Sequence, residues 1–230
     1  MITHVRRWLA HGRVLALLAL VTLSLTGCIE ANSQSTVNAD LTGTTTMRIG
    51  LVKTVFALIS QAGSNPGGTP APGTPPPSAD TDPFADVYAQ VAAMGGTATP
   101  YEDADFKGVD IVLPFHSLEE MQTQINAILG DGSGSSGTPS GMSGAIVQIT
   151  TATATASTMR IEGMVDPLTY LVNNPGAAML ATGGTVALAF TFPGAIVDAD
   201  RLAATNDTTV SWHFKVGDPK ATIFVEASKR

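Results

Sequence analysis

The stretches "VALAFTF" (residues 186–192) and "VSWHFKV" (residues 210–216) decide the fold of this chain. In both, large apolar residues occupy every second position, and small or polar residues lie between them. Successive side chains of a β-strand point to opposite faces of a sheet, so this spacing predicts two strands that each bury one face. Pro193-Gly194 follows the first stretch and predicts the turn that ends it.

The same alternation recurs along the chain and predicts further strands, mostly in pairs. Turn residues such as Asn38-Ala39-Asp40 separate the members of a pair. These predicted strands cover residues 31–37, 42–53, 97–102, 106–115, two segments within 145–165, and 222–227.

Four short helical segments interrupt the strands. Asp82-Pro83 opens one with a capping side chain and a first-turn proline, and Ser117 forms a capping box with Glu120 for another. The others cover residues 54–61 and a segment opened by Asp166-Pro167. Strand pairs with isolated helices favour an α+β fold, in which an antiparallel, sandwich-like β-sheet carries a few amphipathic helices on one face.

Two segments of low complexity lie between these elements. Residues 63–79 are rich in proline and glycine, and residues 130–144 are rich in glycine and serine. Such compositions favour extended or flexible chain over packed structure. The sequence therefore predicts a single domain over residues 28–230, with a flexible insertion at 63–79 and a flexible loop at 130–144.

The N-terminus has the plan of an export signal. Residues 1–13 contain three arginines and no acidic residue, and residues 14–25 are almost entirely apolar. This apolar run is too short to span a bilayer comfortably. It ends at Leu25-Thr26-Gly27-Cys28, which resembles the lipobox of bacterial lipoproteins. The resemblance implies cleavage after Gly27 and a diacylglyceryl group on the thiol of Cys28, the only cysteine in the chain.

The alternative to a lipobox is an uncleaved signal anchor in which Cys28 has no role. The basic start, the apolar length and the small Gly27 favour lipidation. Acyl chains contribute roughly 0.8 kcal/mol per buried methylene, so two or three of them hold a protein at a membrane permanently. We therefore expect a signal peptide over residues 1–27 and a palmitate-type anchor on the extracytoplasmic face of the cell membrane. Apart from this covalent lipid, no cofactor is expected.

The mature chain is acidic. Removal of the three signal arginines leaves 9 basic residues against 19 acidic ones, a net charge near −10. Proteins that bind nucleic acid neutralise its phosphates with lysine and arginine. The charge therefore argues against a nucleic-acid partner.

The motifs that suggest a chemistry lie in unsuitable contexts. Residues 132–137 fit G-x-G-x-x-G, but they follow a helix and lie in the Gly/Ser loop, whereas a dinucleotide loop joins a strand to a helix. The segment from Asp103 begins like a calcium loop, but Lys107 occupies a ligand position. His116 and His213 are the only histidines of the mature chain, and no G-x-S-x-G motif accompanies them. We expect neither a metal site nor an enzymatic activity.

Four groups of short motifs occur in order along the chain: Val37-Asn38-Ala39-Asp40 with Gly43-Thr44-Thr45, Tyr101-Glu102-Asp103 with Lys107-Gly108-Val109, Phe192-Pro193-Gly194, and Val210-Ser211-Trp212. Their order resembles that of the LppM-like bacterial lipoprotein family. The resemblance spans most of the mature chain and implies an exported antiparallel α+β domain of the cell envelope without enzymatic activity. It also implies an affinity for lipids or glycolipids, and it supplies no site residues.

Trp212, the only tryptophan of the mature chain, has two interpretations. It shares a strand face with Phe214, and Leu188, Phe190 and Phe192 share a face of the other strand. These five residues are candidates to line an apolar cavity for acyl chains between sheet and helices. The alternative is that they only pack the core. Both interpretations require the same residues, so the sequence leaves both open.

Two non-enzymatic functions follow. The first is an envelope lipoprotein that binds lipid or glycolipid, and the anchor and the resemblance favour it. The second is a structural or protein-interaction module tethered at the membrane surface. Such a module binds an envelope protein partner through a sheet edge, an exposed apolar patch or residues 63–79.

Overall fold

The computed structural model describes residues 29–62, 82–130, 146–167 and 184–230, and these ranges form eleven strands and three helices. The helices are α1 Lys53–Ala62, α2 Ala85–Ala93 and α3 Leu118–Leu129. The strands are β1 Ile29–Val37, β2 Gly43–Val52, β3 Thr97–Glu102, β4 Phe106–Phe115, β5 Val147–Ala154, β6 Thr158–Val165, β7 Thr185–Thr191, β8 Ile196–Ala199, β9 Ala204–Asn206, β10 Thr209–Lys215 and β11 Ala221–Ser228. These elements confirm the predicted α+β fold.

The larger sheet contains seven strands in the order β3-β4-β2-β1-β7-β10-β9. The strand pairs predicted from neighbouring sequence segments, β1 with β2 and β3 with β4, are antiparallel hairpins. The pair of β1 with β7 is parallel, which makes this sheet mixed. A parallel pair needs a long crossover connection, and about 150 residues of chain separate β1 from β7.

A second layer covers one face of the larger sheet, here called the inner face. It consists of α2, α3 and a four-stranded sheet in the order β5-β6-β11-β8. The Asn126 side chain joins α3 to β5, because it donates to the Ile149 carbonyl at 2.8 Å and accepts from the Ile149 N–H at 2.7 Å. The helices therefore lie on one face of the larger sheet, as the sequence predicts.

The core lies between the two layers and contains the apolar residues that alternate along the strands. Met47, Ile49 and Leu51 of β2 and Val109, Ile111, Leu113 and Phe115 of β4 are all buried. The β8–β9 segment, which the sequence did not predict as strands, carries Asp200. Its carboxylate accepts from the Trp212 indole N–H at 2.7 Å and from the Phe224 N–H at 2.9 Å. One side chain thus ties β10 of the larger sheet to β11 of the smaller one.

Two helix starts differ in detail from the prediction. The Ser117 hydroxyl accepts from the Glu120 N–H at 3.1 Å, as in a capping box, but the Glu120 carboxylate accepts from the His116 N–H, not from that of Ser117. Asp82 caps a turn that precedes α2, with its carboxylate accepting from the Phe84 N–H at 2.9 Å, and the helix begins only at Ala85.

Several predictions fall outside the described residues. These are the signal peptide over 1–27, Cys28, the insertion at 63–79, the loop at 130–144 apart from its first residue, and the helix that Asp166-Pro167 opens. In the part of the chain that the structure describes, no helix is both long and apolar enough to cross a membrane.

Candidate functional site

The outer face of the seven-stranded sheet, opposite the core, presents two rows of aligned side chains. In the first row, Thr46 of β2 pairs with Gln34 of β1, Gln34 with Ala189 of β7, and Ala189 with Ser211 of β10. In the second row, the residues are Asp110, Arg48, Asn32, Ala187 and His213, in the order β4-β2-β1-β7-β10. The strand register therefore gathers side chains that lie up to about 180 residues apart in sequence.

These two rows line a groove of about 570 Å³. Its floor is low at Ala187 and Ala189, because β7 presents only methyl groups here between the longer side chains of β1 and β10. Val112 of β4, 45% exposed, adds an apolar contact at one side. The volume lies within the range of about 300–1,000 Å³ that is usual for small-ligand sites.

Several polar groups of the groove have no hydrogen-bond partner in the part of the chain that the structure describes. Among the described residues, the side chains of Gln34, Ser211 and His213 make no hydrogen bond. An amide, a hydroxyl and an imidazole can each both donate and accept a hydrogen bond. Because they are spread over two strands on either side of the Ala189 gap, they can bind several hydroxyl or phosphate oxygens of one ligand.

A charged pair closes the β4 side of the groove. The Arg48 guanidinium donates to both oxygens of Asp110, through Nε at 2.7 Å and through an Nη at 2.9 Å. The Asp110 carboxylate raises the pKa of Arg48, so the guanidinium stays charged at every physiological pH. The Arg48 guanidinium also lies 4.5 Å from the centre of the Tyr101 ring. This double contact fixes an otherwise flexible cation at the wall of the groove.

Tyr101 lies beside the groove on a platform made by two glycines. Its ring crosses Gly108 and Gly50, and a Cβ at Gly50 would lie 1.9 Å from the Tyr101 hydroxyl oxygen. That hydroxyl is buried and, within the described ranges, has no hydrogen-bond partner. Burial, with the nearby Glu30 carboxylate as a second cause, raises the pKa of Tyr101 to about 12. The tyrosine is therefore neutral and supports Arg48 without competing for its charge.

The five residues that the sequence suggests as the lining of an acyl-chain cavity lie on the inner face of the seven-stranded sheet, not in the outer groove. Leu188, Phe190, Phe192, Trp212 and Phe214 are between 0 and 7% exposed. The Phe190 ring stacks on Phe192 with 6.4 Å between centroids, and it meets Trp212 edge-on at 6.1 Å. The structure thus brings these side chains together within the core. A cavity for acyl chains among them stays a prediction.

Among the described residues, no group of three histidine, cysteine or acidic side chains is close enough to hold a metal ion. His116 is exposed at the start of α3, at the end of β4, whereas His213 lies in the groove on β10.

The sequence predicts which groove residues face outward, but it does not predict that they come together. The alternation along β2 and β10 does assign Thr46, Arg48, Ser211 and His213 to the outward face. Asn32 and Gln34 carry the same signal in β1, between the buried Ala31, Ser33 and Ser35. The missing information was the order of strands, because the parallel pairing of β1 with β7 cannot be read from either strand.

The arrangement of the two sheets and the helices matches that of a known structure. The NMR structure of the folded domain of the LppM protein from Mycobacterium tuberculosis superposes with a TM-score of 0.53, over 88% of this chain and 91% of that one, at 14% sequence identity. The LppM domain family matches residues 30–226. The chain belongs to the LppM domain family. This confirms the resemblance found in the sequence. No curated protein gives a significant match.

Membership in the LppM domain family sets the general class of this protein. The family is of the lipoprotein type, and it is not known as a family of enzymes. The structural similarity, at 14% identity, establishes the shared fold and no more. The matched range runs from the second residue of β1 into β11, so the groove lies entirely inside it.

Proposed function

We propose that this LppM-domain protein is a non-enzymatic envelope lipoprotein that binds a lipid or glycolipid by its head group. A diacylglyceryl anchor on Cys28 holds it on the extracytoplasmic face of the cell membrane. The outer groove of the seven-stranded sheet is the binding site. The lipoprotein character of the family and the lipobox at Leu25-Thr26-Gly27-Cys28 support the anchor.

The observation that carries the binding site is the unpartnered polar lining of the groove. Within the described ranges, the side chains of Gln34, Ser211 and His213 leave donors and acceptors free above the low floor at Ala187 and Ala189. Acyl chains bind to apolar walls, whereas sugar and polyol head groups need donors and acceptors placed at intervals. Most of the groove surface is apolar, but the groove is open to solvent and these donors and acceptors lie beside its apolar floor, which supports contact with a head group over enclosure of acyl chains.

The Arg48–Asp110 ion pair also supports the binding of a lipid head group. Asp110 uses the Nε–H and one Nη–H of Arg48, which leaves the remaining Nη–H groups free to donate, and each Asp110 oxygen keeps a lone pair that can accept from a hydroxyl. Held beside neutral amides and hydroxyls, the pair suits a head group that carries hydroxyls and at most a phosphate. The mature chain has a net charge near −10, so it repels anions. This disfavours a ligand that binds only through its own negative charge.

The test fills the groove without disturbing the core. Ala189→Phe places a ring over the floor, at an outward position of a strand where aromatic residues are well tolerated. Ala154→Phe is the matched control, because Ala154 is exposed at the end of β5 in the other sheet. The mature chain, with Cys28→Ser to remove the anchor, is mixed with an envelope lipid extract and measured by native mass spectrometry.

We expect a lipid adduct on the parent chain and on Ala154→Phe, and none on Ala189→Phe. Loss of the adduct in both variants, or its persistence in Ala189→Phe, contradicts the groove as the binding site. A clean unliganded mass throughout contradicts lipid binding itself.

The alternative function, a protein-interaction module, has one observation of its own. Val197 and Leu202, at and after β8 on the edge of the smaller sheet, are 62% and 60% exposed. Exposed apolar residues at a sheet edge favour association with another protein. Crosslinking in whole cells from a photoreactive residue at 197, compared with one at 154, tests it; a partner captured only from position 197 would support this second function.

A further inference from the structure

β5 is an edge strand of the smaller sheet, whose described strands run in the order β5-β6-β11-β8. Its free edge is defined here as the side of β5 that faces away from β6. We infer that this free edge is a strand-pairing surface for a second copy of this chain, and that the Asn126 side chain of α3 keeps it closed. The inference is independent of lipid binding and of the Cys28 anchor.

The hydrogen bonds of the β5–β6 hairpin determine which backbone groups lie on the free edge. The Thr155 N–H donates to the Thr158 carbonyl at 2.8 Å, so these two residues form a hydrogen-bonded pair. Antiparallel strands alternate between hydrogen-bonded and non-hydrogen-bonded pairs. By this alternation Ala154 and Ala152 lie in non-hydrogen-bonded pairs with β6, and so does Ile149, beyond the β-bulge. The N–H and C=O groups of these three residues therefore point away from β6.

At Ile149, α3 takes the place of a neighbouring strand. The Asn126 carboxamide donates to the Ile149 carbonyl at 2.8 Å and accepts from the Ile149 N–H at 2.7 Å. A residue of an antiparallel strand makes the same two bonds with its partner. The Gln122 carboxamide donates to the same carbonyl at 3.0 Å. These contacts of Asn126 and Gln122 with Ile149, here called the clasp, occupy both backbone groups that a further strand would need.

Beyond the clasp, the free edge has no partner within the described ranges. No hydrogen bond there reaches the outward backbone groups of Ala152 or Ala154. Ala154 is exposed and Ala152 is half-buried. Residues 150–154 contain no charged residue and no proline, the residue types that commonly prevent an edge from pairing. This part of β5 is therefore able to accept a strand.

The other three edge strands of the described sheets carry local protection. Asp103 and Phe106 form a hydrogen-bonded pair, so the alternation along β3 places Pro100, which has no N–H, at an outward position. β9 is only three residues long. β8 has four residues, and the Asp198 carboxylate accepts from the Ala199 N–H at 2.9 Å. Proline, charged residues and short length are the usual protections of edges. β5 has the clasp instead, which depends mainly on one side chain.

The sequence of the free edge fits a second copy of the chain. The stretch Thr151-Ala152-Thr153 reads the same in both directions. A two-fold axis at Ala152, the symmetry of most closed dimers, places Ala152 opposite the partner's Ala152 and each Thr151 opposite a Thr153. The outward groups of the two alanines then exchange two hydrogen bonds, and opposed threonines add to the stability of the pair.

The charges beside this edge do not oppose the pairing. On β6, Arg160 lies beside Thr153 and Glu162 beside Thr151, and the two charged side chains form an ion pair with each other. The two copies therefore meet along a strip of threonine and alanine that has a neutral ion pair behind it. The net charge of the mature chain weakens association in general but does not act at this strip in particular.

The clasp limits how far two copies can pair. With α3 in place, a partner strand meets the helix at Ile149 and has only residues 150–154 available. Two short strands held by a few hydrogen bonds are marginally stable in water. Release of Ile149 lengthens the available edge toward the start of β5. The closed clasp thus keeps the chain monomeric, and its opening permits the dimer.

The test removes the clasp and measures association. The mature chain with Cys28→Ser is examined by size-exclusion chromatography with light scattering over a series of concentrations. Asn126→Ala removes the clasp. Gln124→Ala is the matched control, because its carboxamide lies on the same helix but donates to the Pro114 carbonyl of β4 at 2.9 Å. Ala152→Pro, added to Asn126→Ala, removes an outward N–H and leaves the bonds to β6 in place.

A nitroxide on Thr153→Cys reports the register of the pairing. Thr153 is exposed, and Cys28→Ser leaves the introduced cysteine as the only one in the chain. In the two-fold pairing the two labelled positions are diagonal neighbours, about 7–8 Å apart. Labels this close broaden each other's electron paramagnetic resonance spectrum.

We expect the parent chain and Gln124→Ala to be monomers with sharp spectra. We expect Asn126→Ala to approach twice the monomer mass as its concentration rises, with a broadened spectrum at position 153, and the added Ala152→Pro to restore the monomer. A folded Asn126→Ala that stays monomeric overturns the inference. A dimer that survives Ala152→Pro overturns the pairing through β5, and a parent chain that dimerises with a broadened spectrum overturns the closing role of the clasp.

Circular dichroism reports whether each variant is folded. If Asn126→Ala is unfolded, Asn126→Leu takes its place, because leucine retains the side-chain bulk and helix propensity but has neither donor nor acceptor. The same outcomes then apply. Every one of them leaves the lipid adduct measured under the proposed function unaffected, so the two proposals fail separately.

Discussion

We expect the loss of the Asp200 side chain to lower the free energy of unfolding strongly, although it removes little volume. Its Oδ2 accepts from the Trp212 indole at 2.7 Å and from the Phe224 N–H at 2.9 Å, and its Oδ1 accepts from the Leu202 N–H at 2.7 Å. Trp212 is only 1% exposed, and its indole N–H has this carboxylate as its acceptor. The perturbation is Asp200→Ala.

The size of the effect follows from these three contacts. A hydrogen bond to a charged group contributes about 1.5–3 kcal/mol, and a buried donor left without an acceptor costs a similar amount. Two of the three donors belong to strands of different sheets, and the third is in an exposed turn and contributes little. We expect Asp200→Ala to lower the free energy of unfolding by about 3–5 kcal/mol.

A double-mutant cycle isolates the contact between Asp200 and Trp212. Trp212→Phe keeps most of the buried ring and removes the N–H donor. The expected coupling energy between Asp200→Ala and Trp212→Phe is about 1.5–3 kcal/mol. The assay is urea denaturation followed by far-UV circular dichroism, because Trp212 is the only tryptophan of the mature chain and its fluorescence is lost in the variant.

Asp198→Ala is the matched control, two residues away in the same segment. The Asp198 side chain is exposed and accepts only from the Ala199 N–H, so we expect a change within about 0.5 kcal/mol. A coupling energy below about 0.5 kcal/mol would refute the reasoning, since independent sites are additive within that margin. Equal losses for Asp198→Ala and Asp200→Ala would refute it too.

Three further changes test local features of the fold by urea denaturation. Ser117→Ala removes the hydroxyl that accepts from the Glu120 N–H, and we expect a loss of about 1 kcal/mol in the free energy of unfolding, with no change in the helix content measured by circular dichroism. Gly108→Ala puts a Cβ 2.0 Å from the Ile49 carbonyl oxygen, so we expect at least about 1–3 kcal/mol of destabilisation. Tyr101→Phe removes an unpartnered buried hydroxyl and is expected to be neutral or stabilising at pH 7. Because the Tyr101 pKa is raised to about 12, against about 10 for an unfolded tyrosine, the parent chain loses stability as the pH rises from about 10 to 12, and Tyr101→Phe reduces that loss.

The strands are predicted well from the sequence where one face is buried and the other is exposed to solvent. β4 is a clear case, since Val109, Ile111, Leu113 and Phe115 are buried while Pro114 is exposed, and the predicted bounds agree with the structure. Alternation of this kind is set by the two-residue period of a strand and needs no knowledge of its neighbours. The predicted faces of β2, β7 and β10 were confirmed for the same reason.

Features that depend on distant parts of the chain could not be predicted in this way. β8 and β9 are only four and three residues long, and Val197, Asp198 and Thr205 face solvent, so no apolar period marks them. The role of Asp200 exists only because Trp212 and Phe224 converge on it. The groove likewise depends on the parallel pairing of β1 with β7, which places the small Ala187 and Ala189 between Gln34 and Ser211.

The most direct test of head-group binding is a nuclear magnetic resonance titration that compares the two faces of the seven-stranded sheet. The ¹⁵N-labelled mature chain, with Cys28→Ser, is titrated with the lipid identified by native mass spectrometry. The account predicts that the Gln34 side-chain amide and the Ala189 and Ser211 backbone amides shift, while the Trp212 indole N–H, held by Asp200 in the core, stays in place. A shift confined to the Trp212 indole and its neighbours Phe190 and Phe192, with the groove signals unchanged, would contradict it and would favour acyl chains in the interior.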